Sequence, residues 1–207
     1  MTDTLNWTDH MLYITSKMNK SIGYFYRARA ILYQKQLINL YHSFVEPYII
    51  YCLPIWGGSI NIDSKSNPIT KVINRFKRII TFSKRTHTAN DRISLPDLNQ
   101  YYTLEVAKTV YTHITDPDNS PLIYHKTMTR VTETHNQATR MASHMNLSLP
   151  KFRNNYKKNS FQYKAAVTWN ALPYPVKLKN NKQQLTDAVK RYIQAVSYTH
   201  LTLPTKA

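Results

Sequence analysis

Apolar residues recur along this chain mostly at helical spacing. Thr8 and Asp9 offer N-cap chemistry, and Leu12, Ile14, Met18, Ile22 and Phe25 follow at intervals that predict a first helix with one buried stripe. A second helical pattern runs through Leu37, Ile38, Leu40, Tyr41, Phe44 and Val45, and Pro47 breaks or restarts it. The segment Tyr48 to Trp56 is apolar on all sides, which predicts burial against the preceding helices, and Gly57, Gly58 and Ser59 end it. A polar linker then leads to Pro68.

The clearest period covers Ile69 to Phe82. Ile69, Val72, Ile73, Phe76, Ile79 and Ile80 fall on a single helical face. The other side carries Lys71, Arg75, Lys77 and Arg78, with Lys84 and Arg85 just beyond, so the spacing predicts a helix held to a core by its apolar stripe with a cationic flank outward. Leu95 to Ile114 is predicted as a further helix, with Pro96 near its start and Asp116-Pro117 closing it. From Asp116 to Lys158 no period lasts, and the Thr, Asn, His, Lys and Pro content predicts loops and short elements. Phe161 to Leu172 reads as a helix stopped by Pro173 and Pro175, and Gln184 to Ala195 as a last one.

Composition agrees with a mainly α fold. The 207 residues allow a sizeable core, 16 Tyr, 6 Phe and 3 Trp supply bulky side chains for it, and only 3 Gly argues against a small all-β protein rich in tight turns. Charge changes the picture most. Lys and Arg number 28 against 11 Asp and Glu, a formal +17, which points to a polyanionic partner, and nucleic acid is the expected one. The basic residues Lys17, Lys20, Arg27 and Arg29 of the first helix join the cations after Ile69 as candidate phosphate contacts. Tyr24, Tyr26, Tyr101 and Tyr102, interleaved with basic residues, are candidates for a wet, phosphate-facing role. Trp56 and Trp169 could stack on bases, but each ends an apolar stretch beside a breaker, which favours a core position.

Several classes lose support. The longest apolar run is too short to span a bilayer and contains Pro54, so no membrane segment is expected. The lone Cys52 cannot form an internal disulfide or a cysteine-based zinc site, and an intracellular setting, nucleus or cytoplasm, fits it. His113, His125, His135 and His144 are spaced too widely for a zinc-binding helix, and Asp116 and Asp118 flank Pro117 in an apparent turn. No nucleophile-elbow pattern supports a Ser/His/Asp triad.

The stretch LYHSFVEPYIIYCLPIWGG, Leu40 to Gly58, has a distinctive order: Leu40-Tyr41, a gap, Pro47, the run Tyr48 to Tyr51, then Trp56-Gly57. It resembles a segment that follows the polymerase core in reverse transcriptases of jockey-like non-LTR (LINE) retrotransposons. Upstream, Leu5, Trp7, His10, Ile14, Lys17 and Lys20 to Gly23 are similar to that family's approach to the motif. Downstream, Thr139-Arg140 and Ser160 to Tyr163 through Trp169-Asn170-x-Leu172-Pro173 resemble its C-terminal signatures. The resemblance covers roughly Leu5 to Ile193.

It implies a post-palm piece: a helical thumb-like module over residues 1–95, a loop-rich C-terminal extension with short helices over 96–195, and contact with RNA or an RNA/DNA hybrid and with the palm and fingers of the parent polymerase. Arg140 joins the candidate nucleic-acid contacts on the same ground. Polymerase chemistry needs carboxylates holding two divalent metals, and the chain has no adjacent Asp-Asp pair. No catalytic residue can therefore be carried over, and Mg2+ is expected only in a palm encoded upstream. A truncated copy or a partial gene model, inactive alone, is the expectation. Val196 to Ala207 resembles the translation of a library adaptor, which leaves residues 196–207 outside the expected fold. The rival expectation is a non-enzymatic helical interaction protein whose apolar Tyr48 to Trp56 segment binds another protein.

Overall fold

Helical periodicity in the sequence becomes helix in the structure. The computed structural model describes residues 7–59, 66–83, 95–118, 128–134, 144–151, 153 and 155–202. It is mainly α, and among the described residues the extended pairing amounts to an isolated bridge between Arg130 and Leu147. The chain divides into two compact units, Met1–Tyr102 and Thr103–Ala207.

In the first unit, α1 (Thr8–Ala28), α2 (Gln34–Phe44), α3 (Glu46–Ile50), α4 (Leu53–Trp56), a short 3-10 turn (Gly57–Ser59) and α5 (Pro68–Ile80) surround one core. α1 lies along α5 and also meets α2 and α3, while α2 meets α5. The edge-to-face contact of Phe25 with Phe76, ring centroids 4.9 Å apart, and that of Tyr41 with Phe76, 5.7 Å apart, tie three helices together. All six apolar positions of the α5 stripe are buried. Each such side chain contributes about 1.5–3 kcal/mol, which decides the orientation of this helix. Its start is fixed locally: the Asn67 side-chain oxygen accepts from the Ile69 N–H at 3.0 Å, and Pro68 occupies the first turn where no donor is needed.

α5 stops at Ile80, two residues short of its expected end. Phe82 adopts φ 56, its N–H donates to the Ile79 carbonyl and the Ser83 N–H donates to the Arg78 carbonyl, a left-handed helix end that glycine usually fills. Other expectations also need correction. Leu12 and Phe44 are exposed, because the buried stripe of α1 is Ile14, Met18, Ile22 and Phe25 and that of α2 is Leu37 and Tyr41. The Tyr48 to Trp56 run is not buried all round. Ile49, Leu53 and Trp56 face the core while Tyr48, Tyr51, Cys52 and Ile55 are exposed, since Pro47 and the left-handed Cys52 (φ 51) cut the run into two short helices, each with an inner and an outer side.

Residues from widely separated parts of the sequence motif meet here. The His10 ring stands edge-on to Trp7 (5.9 Å) and to Trp56 (5.4 Å), and the Trp56 indole N–H donates to the Tyr51 carbonyl at 2.8 Å. Gly57 completes the arrangement. A β-carbon there would lie 2.6 Å from Cδ2 of the buried Tyr102 ring and 3.1 Å from Leu53 Cδ1. Gly57→Ala should therefore overpack the core and cost about 1–3 kcal/mol, measured by denaturant unfolding, whereas Gly23→Ala, with nothing within 4 Å, should not destabilise. A G57A protein as stable as its parent would show that the Tyr102 ring can yield.

α6 (Leu98–Thr115) opens with a reciprocal capping box: the Gln100 N–H donates to Asp97 Oδ1 at 2.9 Å and the Asp97 N–H to Gln100 Oε1 at 2.8 Å. The second unit follows with α7 (Val131–Thr134), α8 (Asn155–Lys158), α9 (Phe161–Ala171), α10 (Tyr174–Lys177) and α11 (Lys182–Thr202). Pro173 ends α9 as expected, but Pro175 stops nothing, because it sits in the first turn of α10. α11 begins two residues before the predicted Gln184 and continues past Ala195 to Thr202. Among the described residues no helix is long and apolar enough to cross a membrane.

Candidate nucleic-acid interface

Two helix faces carry most of the described candidate cations. On α1, Lys20 and Arg27 are exposed and Lys17 is half-buried, with its ammonium 5.3 Å from the centroid of the Tyr13 ring. Tyr13, Lys17, Lys20, Tyr24 and Arg27 follow one another at steps of three or four, so at 3.6 residues per turn they share an arc of about 80°. On α5, Lys71 and Arg75 are exposed and Arg78 is half-buried, and the same geometry places all three within an arc of about 60°, opposite the apolar stripe. The only acidic residue of α1 is Asp9, in its first turn, and α5 has none. The ion pairs His42–Glu46 and Glu105–Lys108 lie outside both helices.

Arg29 departs from this pattern. It lies just past α1, half-buried, with its guanidinium 4.5 Å from the centroid of the Phe82 ring. Lys77 departs further and corrects the expectation: it is only 3% exposed, so it is not on the cationic flank. Its place beside Phe76, four after Ile73 and three before Ile80, turns it to the edge of the buried stripe. Burial lowers its pKa, while the Asp97 carboxylate works to raise it. Lys84, Arg85 and Arg140 lie outside the described residues.

The tyrosine candidates split. Tyr24 and Tyr26 are exposed, but Tyr101 and Tyr102 are core residues at 1% and 6% exposure, which overturns a phosphate-facing role for both. They fall three and four positions after the buried Leu98, the spacing of a core-facing helix surface. Burial pushes the Tyr41, Tyr101 and Tyr102 phenols well above the ordinary range. Trp56 and Trp169 are each 1% exposed, so both are core plugs rather than stacking platforms.

In the second unit, sequence reasoning missed a polar clamp built on Trp169-Asn170. Asn170 Nδ2 donates to the Leu147 carbonyl at 2.9 Å and Asn170 Oδ1 accepts from the Leu147 N–H at 2.8 Å. The Trp169 indole N–H donates to the Met145 carbonyl at 3.0 Å, and Lys177 Nζ donates to Asn146 Oδ1 at 2.7 Å. The same segment is held from another side, where the Val131 N–H donates to the Asn146 carbonyl and the Ser148 N–H to the Thr129 carbonyl. These bonds fix Met145 at φ 55. Lys177 is 3% exposed, and burial lowers its pKa to about 8. A cavity of about 190 Å³ adjoins it, lined in part by Tyr111, Met145, Trp169 and Lys179, and is smaller than the usual small-molecule site. The arrangement is a structural lock in which each polar group holds a loop.

Among the described residues no group of three or more His, Cys, Asp or Glu side chains could hold a metal ion. No protein-family model, curated protein or solved structure matches the chain.

Proposed function

We propose that this chain is the thumb-like and C-terminal part of an RNA-directed DNA polymerase of a non-LTR retrotransposon, and that it holds RNA or an RNA/DNA hybrid through backbone phosphates. It would do so without a polymerase active site of its own. The observation that carries the binding half is the pair of cationic faces: Lys17, Lys20 and Arg27 on α1, and Lys71, Arg75 and Arg78 on α5, each on a helix whose other face is buried. Rigid helices hold such charges in register, and helix flanks that carry almost no acid suit a ligand with a charge at every step. Support for the polymerase origin is the order of motifs from Trp7 to Pro173.

The expected result of a salt titration follows from counterion release. If about six cations meet phosphates, log affinity for a hybrid duplex should fall against log salt with a slope of about −4 to −5. Binding measured by fluorescence anisotropy with a slope near zero would overturn the reading. Exposure of Phe44, Tyr48, Tyr51 and Ile55 favours a second reading, a helical module that binds another protein. Self-association by light scattering that nucleic acid leaves unchanged, together with a flat salt response, would select it.

A further inference from the structure

The cationic face of α1 differs from that of α5 in one respect. It interleaves its charges with two large exposed rings, Tyr13 at 59% and Tyr24 at 68% exposure. Water-exposed tyrosines within a basic stripe are not needed for the core, which α1 supplies with Ile14, Met18, Ile22 and Phe25. Lys17 rests over one face of the Tyr13 ring, its ammonium 5.3 Å from the centroid, and at 59% exposure the ring keeps surface open to a planar neighbour. From Tyr13 to Tyr24 the helix rises about 16 Å. Lys17 and Lys20 lie between the two rings and Arg27 one turn beyond.

Resting on the phosphate-binding reading above, we propose that this face of α1 is a track for single-stranded nucleic acid, with Tyr13 and Tyr24 stacking on unpaired bases while Lys17 and Lys20 hold the intervening phosphates and Arg27 holds one beyond Tyr24. A duplex keeps its bases inside its own stack and offers only phosphates and groove edges to such a surface, whereas a single strand offers a π-face at every position. The rings therefore distinguish single strands from hybrids, and they do so without base identity, because every base has a face to stack.

The test uses the full chain and three labelled probes of equal length: a single-stranded RNA, the same sequence as an RNA/DNA hybrid, and a strand with abasic sites throughout its centre. Tyr13→Ala combined with Tyr24→Ala should weaken single-strand binding at least about tenfold, while hybrid and abasic binding stay within about twofold. Tyr13→Phe with Tyr24→Phe should bind like the parent, since the ring and not the hydroxyl is used. Unchanged single-strand affinity in the double alanine protein, an equal loss on all three probes, or a failure of phenylalanine to restore binding would each overturn the track. If hybrid binding keeps its steep salt slope while the alanine protein loses nothing, only this inference falls. If the parent chain binds none of the probes, the phosphate-binding reading falls with it.

Discussion

Replacing Asn170 with Ala is expected to lower stability by about 3–5 kcal/mol, measured as a shift in the urea midpoint at unchanged slope. The size of the effect comes from what is left behind. Leu147 is 1% exposed, so both its N–H and its carbonyl, now satisfied by one side chain, would remain in the interior without their partner. The adjoining Trp169 and Lys177 bonds hold neighbouring residues of the same turn, and Met145 between them keeps a left-handed backbone, so loss of the central pair loosens the rest. Asn170→Asp separates the two bonds. It retains an acceptor for the Leu147 N–H but sets a carboxylate against the Leu147 carbonyl, and should also be strongly destabilising. An alanine protein within about 1 kcal/mol of its parent would mean that water replaces the amide and that the clamp contributes little.

The second large effect concerns pH. Lys177 titrates near 8 in the folded chain, because burial disfavours its charged form, against an ordinary value of 10.5. Between those values the unfolded chain binds the proton and the folded chain does not, so stability rises with pH across the window. The penalty of holding a buried charge is fully present below about pH 8 and is relieved above it. From pH 7 to pH 9.5 the gain should be about 2 kcal/mol, and Lys177→Met should abolish most of the rise. Lys77, also lowered by burial, works in the same direction, which is why the comparison is made between parent and variant and not read from the parent alone. The window must end below pH 10, where the buried Tyr41, Tyr101 and Tyr102 phenols, raised by burial, begin to favour the unfolded chain instead. Equal pH dependence in parent and K177M proteins would exclude Lys177 as the group responsible.

How far the sequence could be read depended on whether apolar period carried the information. The orientation of α5 was legible, since its stripe of six bulky residues admits one choice. The same period contained a sign that Lys77 is buried: it stands four after Ile73 and three before Ile80. Its charge class outweighed its position. Tyr101 and Tyr102 were misread in the same manner, as polar-tipped residues near cations, when their spacing from Leu98 marked them as core. In the Tyr48 to Trp56 run the continuous hydrophobicity concealed a helical alternation, and the left-handed turn at Cys52 that produces it has no glycine to announce it. The clamp was illegible for a different reason. Asn146, Asn170 and Lys177 are polar and lie up to 31 positions apart, and their bonds reach backbone atoms or distant side chains, so neither period nor spacing reveals them. Of the candidate interface, the cationic residues were legible by type, but their division into two faces needed the helices.

The left-handed Phe82 at the end of α5 has a consequence for how the tips of two helices are joined. A residue with a β-carbon in that conformation stores about 1 kcal/mol of backbone strain, which glycine would avoid. The side chain whose β-carbon imposes the strain also carries the ring on which the Arg29 guanidinium rests. Tension at one helix terminus is thus exchanged for adhesion at another: a substitution that relaxes the backbone removes the contact, and the two changes oppose each other in the net energy. The junction behaves as a sprung catch, closed by one planar cation lying on one ring.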